Sequence, residues 1–235
     1  MKVAQVCQHS FLLDYINSNS LVLDCGVNQG EFSGWLSSNI GCRIHGFEPD
    51  PRLFVKLPNF PGCTFHQLAI SNNNGTLMLY LGDSLCSSLH YKEDDARETF
   101  EVRTVTLPEF CRQHGIEKID LLKMDIEGAE LPVLSDLAES FLREKVAQIA
   151  IEFHDHIDKS ALPQIRATIR RMKKLGFYCQ RFSRFTFGDV LFVNRQLVDL
   201  SAVEIVLLKI VKYQRGIFRM AGRQLSRARY GMQRK

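Results

Sequence analysis

Apolar and polar positions follow two different periods along the chain, and these periods predict alternating strands and helices. Continuous apolar runs rich in β-branched residues are typical of buried strands, and they occur at 21–25, 43–48, 63–70, 119–126 and 146–153. Apolar residues three and four apart are typical of helices, and this spacing occurs at 30–39, 51–57, 107–114, 128–141 and 159–175. Buried strands that alternate with helices predict a mostly parallel sheet covered on both faces, as in α/β proteins.

Two regions depart from this alternation. The segments 72–82 and 100–107 have the every-second-residue pattern of strands, so they predict a small antiparallel β insertion with the polar loop 83–99 between its arms. Near the C-terminus, 177–182 and 189–194 are separated by a hairpin-sized stretch. That spacing predicts an antiparallel pair at the edge of the sheet.

The composition is that of a globular protein. A chain of 235 residues can bury a substantial core, and 45% hydrophobic and 24% charged residues are ordinary values. No run approaches the roughly 20 apolar residues of a bilayer span, and the N-terminus lacks the pattern of a signal peptide. Seven cysteines without a Cys-x-x-Cys pair favour buried, reduced thiols. We therefore expect a cytoplasmic protein.

The net charge of +4 is unevenly distributed. We expect a domain over residues 1–200 and a tail over 201–235, and the tail contains nine Lys or Arg residues and one acid. Within 202–229 basic residues recur every three or four positions opposite apolar ones, which predicts a basic amphipathic helix. Two interpretations of this helix are equally favoured. Its apolar face packs on the domain or on a second subunit, or the helix contacts an anionic membrane peripherally. Nucleic acid is less favoured, because the aromatic residues do not interleave the basic ones in the manner that stacks bases.

The loop Asp24-Cys25-Gly26-Val27-Asn28-Gln29-Gly30 follows the first buried strand and opens a helix. A dinucleotide-binding turn at this place has three glycines and binds a pyrophosphate at the helix N-terminus. Here Asp24 replaces the first glycine, and a carboxylate suits a cation better than a phosphate. Asp24 can hold such a cation directly or through the turn. Gly26 allows close approach of the backbone, and Gly30 lets the helix start near the sheet. These features predict a site for S-adenosylmethionine, whose sulfonium and ammonium are cationic.

The second buried strand supports that prediction. It ends at Glu48, 24 residues after Asp24. In doubly wound folds an acid at the end of this strand accepts hydrogen bonds from ribose hydroxyls. The acid-led turn and the ribose-type acid together are more specific than either alone.

These motifs are followed, in order, by LAISNNNGTLMLY, VTLPEF, IDLLKMDIEGAELPVL and IAIEFH. Over roughly residues 20–195 the chain thus resembles the FkbM-type S-adenosylmethionine-dependent methyltransferases. The resemblance implies a Rossmann-like class I fold with a mostly parallel seven-stranded sheet and an antiparallel last strand. It implies a cofactor site formed by Asp24, Gly26, Asn28, Gly30 and Glu48, with Ala69 near the adenine. It also implies methyl transfer to a hydroxyl of a sugar or natural product.

The strand 119–126 contains charged residues that a buried strand rarely tolerates. Lys123 and Asp125 face the same side, since side chains alternate along a strand. An ion pair of Lys123 with Asp125 or Glu152 is favoured over a direct catalytic role. Asp125 and Glu127 lie at the carboxyl end of the strand, where α/β sheets bind ligands. Glu130 has an alternative role as an acid in the first turn of the next helix.

The strand 146–153 ends in a cluster of titratable residues. The proton of an acceptor hydroxyl could be removed by His154 here, or by Asp125 or Glu127 at the end of the strand 119–126. The sequence does not rank these three candidate bases. A metal bound by Asp125, Glu152, His154 and His156 is a weaker alternative, and we expect no metal. Ser87-Ser88-Leu89, in the loop 83–100, resembles a block that the family has there, and this loop is a candidate lid.

The expected function is transfer of a methyl group from S-adenosylmethionine to a hydroxyl-bearing acceptor, most often a carbohydrate. A nucleic-acid ribose methyltransferase is the alternative within the enzyme class, but residues 1–200 are net acidic. A non-catalytic scaffold that binds S-adenosylmethionine is the alternative outside it. The acids expected at the site are all present, which argues against a protein that has lost its activity. These acids are Asp24, Glu48, Asp125 and Glu127.

Overall fold

The computed structural model describes residues 1–81, 87–88, 98–155 and 159–214. Its strands are β1 (Val3–Val6), β2 (His9–Leu12), β3 (Leu21–Cys25), β4 (Arg43–Phe47), β5 (Cys63–His66), β6 (Ala69–Ile70), β7 (Gly75–Leu81), β8 (Ser87–Ser88), β9 (Glu98–Val105), β10 (Leu121–Met124), β11 (Gln148–Ile151), β12 (Phe177–Arg181) and β13 (Val190–Asn194). Its helices are α1 (Glu31–Asn39), α2 (Pro51–Phe54), α3 (Leu107–Gln113), α4 (Glu130–Asp136), α5 (Glu139–Lys145), α6 (Leu162–Lys174) and α7, which is described over 202–214.

Seven strands form the central sheet, in the order β12-β13-β11-β10-β3-β4-β5. The strands from β11 to β5 are parallel, and β13 runs antiparallel to both of its neighbours. The predicted α/β fold with a mostly parallel seven-stranded sheet is therefore confirmed. The reversed strand β13 lies one position inside the edge, because its hairpin partner β12 takes the edge itself.

The two faces of the sheet bury separate apolar clusters. On β3, Leu23 packs with the residues under α3 to α6, whereas its neighbour Val22 packs with Phe32 and Leu36 of α1. This division follows from the alternation of side chains along a strand. Because all the parallel strands end at the same edge, the loops that follow β3, β4, β10 and β11 converge there.

The insertion forms a small sheet of its own. β7 pairs antiparallel with β9, as the sequence predicts, and β6 joins β9 in parallel. The strand predicted over 63–70 is therefore two strands, β5 and β6, which belong to different sheets. The loop residues 82–86 and 89–97, including Leu89, lie outside the described residues.

The helix predicted over 128–141 is two helices, α4 and α5. Leu137 between them has extended backbone, with ψ at 127°. Two guanidinium nitrogens of Arg171 donate to the carbonyls of Leu134 and Leu137, both at 2.6 Å. These bonds from α6 satisfy carbonyl groups that a continuous helix would bond internally, which allows the break.

Residues 1–20, to which the sequence analysis assigns no element, contain the hairpin of β1 and β2. Its turn residues Cys7 and Gln8 have positive φ values of 46° and 67°. The hairpin packs on the sheet through the Gln148 side chain, which accepts from Leu12 N at 2.8 Å and donates to Leu12 O at 3.2 Å. The turn therefore extends beyond the carboxyl end of β11.

Part of the apolar surface of α7 packs on the domain. Leu208 is fully buried, with Ile205 and Val211 beside it. Val206 and Ile210 of the same helix are exposed. Residues 215–229 of the predicted helix lie outside the described part of the chain. Within the described residues, no helix has the length and apolar character needed to cross a membrane.

Candidate active site

The loop between β3 and α1 has left-handed backbone at Gly26, Asn28 and Gly30, with φ values of 87°, 54° and 83°. A Cβ on Gly26 would lie 1.8 Å from the carbonyl oxygen of Asp125. The sequence explains Gly26 by close approach to a ligand, whereas the structure shows close approach to the end of β10. Gly30 is the N-terminal capping residue of α1, a position that its left-handed φ suits.

Asp24 is fully buried. Its Oδ2 accepts from the Ser33 hydroxyl at 2.7 Å, and its Oδ1 lies 3.3 Å from Lys123 Nζ. The sequence left open whether this carboxylate holds a cation directly or through the turn. In the structure its charge faces Lys123 and it bonds Ser33 of α1, contacts that suit the second alternative.

Glu48 follows β4 and connects two loops. One carboxylate oxygen accepts from Asn28 N at 2.7 Å and the other from Asp50 N at 2.9 Å. Burial raises the pKa of Glu48 to about 7, although these backbone hydrogen bonds oppose the rise. Its position at the mouth of β4 suits it to ribose hydroxyls, as the sequence predicts.

A cavity of about 650 Å³, a volume that includes open solvent, is lined by Glu48, Asp125 and Glu127. Its middle is an apolar slot, lined by Phe47, Pro49, Leu53, Leu68, Ala69, Ile70, Leu79 and Ile126. An apolar slot with polar groups at its ends is typical of a nucleoside site. Ala69 lies in the slot, where the family resemblance places the adenine.

A second cavity, of about 550 Å³, adjoins the first and shares Gly26, Asn28 and Asp125 with it. The hairpin residues Cys7 and His9 form its far wall. The two cavities together fit an elongated ligand, with its apolar part against Ala69 and its cationic part near Asp125. These residues fit S-adenosylmethionine, whose sulfonium and ammonium lie beyond the adenosine.

Lys123 is 3% exposed, and its partners lie around the loop. Its ammonium donates to the carbonyl of Gly26, and it lies 3.3 Å from Asp24 and 3.7 Å from Asp125. Burial opposes its charge, but the two carboxylates raise the pKa of Lys123 above its usual value. The predicted ion pair with Asp125 is therefore present, and Asp24 is its nearer acid.

Asp125 lies directly after β10, at the junction of the two cavities. Its Oδ2 lies 3.3 Å from His9 Nε2, and its Oδ1 lies 3.5 Å from His154 Nε2. Burial favours the neutral acid, but the bond from His9 and the charge of Lys123 hold the pKa of Asp125 well below its usual range. A carboxyl group this acidic is a weak base.

His154 is surrounded by acids. Its Nε2 lies 3.5 Å from Glu127 Oε2, and its Nδ1 lies 3.3 Å from Glu130 Oε1. Burial opposes protonation, but the hydrogen bond and charge of Glu130, with the charges of Glu127 and Asp125, raise the pKa of His154 to about 9. At neutral pH the ring is therefore an imidazolium, which can stabilise negative charge but cannot accept a proton.

Glu130 has a structural role in the loop after β10. Its carboxylate accepts from Ile126 N at 2.8 Å and from Gly128 N at 3.0 Å. These bonds hold Glu127 in left-handed backbone, at φ 53°, and burial raises the pKa of Glu127. Strained non-glycine residues of this kind concentrate at functional sites.

Sequence analysis missed His9 and gave Glu152 no catalytic role. His9, Asp125 and Glu152 each place one ligand-type atom within 4.8 Å of the others, and Asp125, Glu130 and His154 do the same. Nothing in the N-terminal sequence indicates His9, because 116 residues separate it from Asp125. His156, a member of the alternative metal set, lies outside the described residues.

The sheet order and the cavity at the carboxyl ends of the strands are those of a class I α/β methyltransferase. Residues 24–179 match the family described as the Methyltransferase FkbM domain. The chain belongs to this family, and S-adenosylmethionine is its methyl donor.

Relatives of known activity support the assignment. The 2-O-methyltransferase NoeI of Sinorhizobium fredii is 28% identical over 199 residues, 75% of this chain and 80% of that protein. The hexuronic acid methyltransferase AglP of Haloferax volcanii is 22% identical over 152 residues, 63% of this chain and 61% of that protein. Among solved structures, an rRNA methylase from Streptococcus thermophilus has a TM-score of 0.42 at 11% identity, over 76% of this chain and 87% of that chain.

Proposed function

We propose that this methyltransferase transfers the methyl group to a hydroxyl oxygen of a carbohydrate. The observation that carries the proposal is the position of Asp125, which lines the donor cavity and adjoins a cluster of His9, Glu152 and His154. Transfer to a hydroxyl requires removal of its proton, and this cluster supplies acid and base groups where the methyl group is delivered. Two relatives are named for 2-O- and hexuronic acid methylation, which supports a carbohydrate acceptor.

When bound, S-adenosylmethionine supplies a methyl group on a cationic sulfur. Glu48 would hold the ribose, Ala69 and its apolar neighbours the adenine, and Asp125 and Glu127 would lie near the positive charge. The buried Lys123 and the imidazolium of His154 keep Asp125 ionised and in place. Alignment of the acceptor oxygen with the methyl carbon is the larger part of such catalysis, and base catalysis adds about 10²–10⁴-fold.

The test uses S-adenosylmethionine labelled in its methyl group, incubated with glycan, lipid and RNA fractions of a cell extract. We expect label in the glycan fraction, in a form that resists mild alkali, because a methyl ether is stable where a methyl ester is hydrolysed. Alkali-labile label would indicate a carboxylate acceptor. Label on RNA ribose would instead support the nucleic-acid alternative, and binding of the donor without transfer would support the scaffold alternative.

We also propose that α7 contacts an anionic membrane peripherally. The described part of the helix exposes large apolar side chains, which supports this proposal. These side chains are Val203, Val206, Leu207, Ile210 and Tyr213. Lys209 and Lys212 accompany them, and the segment 201–235 has one acid against nine basic residues. Cosedimentation should increase with the anionic lipid content of vesicles and decrease with salt. A dimer in sedimentation analysis, without vesicle binding, would show that a second copy covers this face.

A further inference from the structure

A third cavity, of about 660 Å³ with open solvent included, lies between the β1–β2 hairpin and the segment 183–189. Its side chains are polar, and they come from Gln5, Gln8, Glu152, Ser183, Thr186 and Asp189. We infer that this cavity is the acceptor subsite for a neutral pyranose ring, and that Glu152 removes the proton of the acceptor hydroxyl. The inference rests on the proposed function and specifies its acceptor and its base.

The cavity adjoins the place where the methyl group is delivered. Glu152 follows β11, next to Asp125, which follows β10, and their carboxylate oxygens lie within 4.8 Å of each other. Asp125 also lines the donor cavity, so Glu152 lies close to the edge of that cavity. A hydroxyl held against Glu152 is therefore close to the donor cavity.

Hydrogen bonds fix both walls of the cavity. The buried carboxylate of Asp189 accepts from Ser10 N at 3.1 Å, from the Ser10 hydroxyl at 2.7 Å and from Gln5 Nε2 at 2.9 Å. These bonds join the hairpin to the segment 183–189. On the other side, Phe187 N donates to Asp155 Oδ1 at 2.7 Å. A pre-formed cavity loses less entropy when a ligand binds.

Gly188 keeps the carboxylate of Glu152 accessible. A Cβ at this position would lie 3.3 Å from Glu152 Oε1 and 3.5 Å from Thr186 Oγ1. Any larger side chain would therefore fill the space in front of the carboxylate. The absence of a side chain at Gly188 leaves room for an acceptor hydroxyl there.

The lining chemistry matches a neutral sugar. Amides and hydroxyls both donate and accept hydrogen bonds, as the hydroxyls of a pyranose do. Two carboxylates, Glu152 and Asp189, disfavour an anionic ring and a nucleic-acid phosphate. Burial, followed by the charge of Asp125, raises the pKa of Glu152 to about 7, which suits a base that works at neutral pH.

The transfer step balances with Glu152 as the base. The acceptor oxygen forms a bond to the methyl carbon while the carbon–sulfur bond breaks, and the electron pair of that bond stays on sulfur. The hydroxyl proton passes to the carboxylate of Glu152. The products are a methyl ether, S-adenosylhomocysteine and a protonated Glu152, which returns its proton to solvent.

Binding is tested by saturation-transfer NMR on the full chain saturated with S-adenosylhomocysteine. The probes are the methyl glycosides of glucose, galactose, mannose and fucose, with methyl glucuronoside and uridine for comparison. We expect a neutral glycoside to bind, the glucuronoside to bind more weakly and uridine not to bind. Gly188→Val and Gln8→Ala should each weaken glycoside binding at least about tenfold, a loss of roughly 1.4 kcal/mol. The control Gln164→Ala, on the exposed side of α6, should not.

The proposed base is tested by methyl transfer to the same four glycosides. Glu152→Gln should bind glycoside but lower transfer by about 10²–10⁴-fold, and it should abolish the rise in rate as pH increases through neutrality. Glu144→Gln makes the same change on the surface of α5 and should have no effect.

Three outcomes would overturn the inference: no glycoside binds or is methylated, uridine binds in preference, or all three cavity variants behave as wild type. Calorimetry with S-adenosylmethionine separates this failure from failure of the proposed function. If the donor binds but no glycoside does, only the acceptor subsite is wrong. If the donor does not bind, the proposed function fails as well.

Discussion

Lys123 and Asp24 are paired neighbours on adjacent strands, and their charged groups meet 3.3 Å apart in the interior of the sheet. The ammonium also bonds the carbonyl of Gly26, so one buried cation connects β10, β3 and the donor loop. Removal of one partner from such a pair leaves an uncompensated buried charge.

Lys123→Met should therefore destabilise the protein by about 3–5 kcal/mol in urea denaturation. The control Lys118→Met removes a surface pair with Asp120, at 2.8 Å, and should cost about 0–1 kcal/mol. The double variant Asp24→Asn with Lys123→Met should be less destabilised than the sum of the single variants, because no charge remains unpaired. Equal costs for Lys123→Met and Lys118→Met would contradict this account of the loop.

Gly26→Ala should disrupt the donor loop. The new Cβ would lie 1.8 Å from the Asp125 carbonyl oxygen, so the loop or the end of β10 must move. We expect a loss of more than about 4 kcal/mol or failure to fold. Gly41→Ala is the matched control, since Gly41 has φ at 73° but no atom within 4 Å of its Cβ position. Gly41→Ala should lower the free energy of unfolding by only about 1–2 kcal/mol, the cost of a Cβ in left-handed backbone. Similar denaturation midpoints for the two variants would show that the contact with Asp125 is unimportant.

Glu48→Gln should weaken binding of S-adenosylmethionine. Both carboxylate oxygens accept from backbone N–H groups, and the amide nitrogen of Gln would face one of these donors. We expect a loss of affinity of about 10–100-fold, or roughly 1.4–2.7 kcal/mol, in calorimetry. Glu117→Gln, at an exposed position, serves as the control. Unchanged affinity in Glu48→Gln would place the ribose elsewhere.

Stability should depend on His154 between about pH 6.5 and 9. Its folded pKa of about 9 is higher than the value of 6.5 expected for the unfolded chain, so the folded state binds the proton more tightly. This stabilisation is fully present below pH 6.5 and is lost as pH rises through 9. The free energy of unfolding of wild type minus that of His154→Gln should fall by about 1–3 kcal/mol across this range. A difference that does not vary with pH would show that the neighbouring acids do not raise the pKa of His154.

Chelation by EDTA should leave methyl transfer unchanged. The Lys123 ammonium lies 3.7 Å from Asp125, and the imidazolium of His154 adjoins the same carboxylate. Two cations thus already balance the charge that a divalent metal would need. Loss of activity on chelation, restored by Mg²⁺ or Mn²⁺ but not by Ca²⁺, would show that a metal occupies one of the two clusters after all.

Local patterns account for most of the fold. The runs at 21–25 and 43–48 predict β3 and β4 to within one residue, because burial on both faces of a parallel strand requires continuous apolar residues. The donor loop and Glu48 are found in the same way, since a turn with left-handed backbone and an acid at a strand end leave a local signature. The break at Leu137 leaves no such signature, because Arg171 compensates it from another helix.

The sequence alone determined most of the order of strands and helices, the donor loop and the acids at the mouths of β4 and β10, since each depends on residues close together in the chain. Tertiary structure decided which charges meet. In the folded chain Lys123 lies against Asp24 and His9 lies against Asp125. Leu208 is the residue of α7 that is fully buried. The physical reason is that pKa values and ion pairs depend on distances of a few ångströms between residues far apart in sequence, and only the packed sheet fixes those distances.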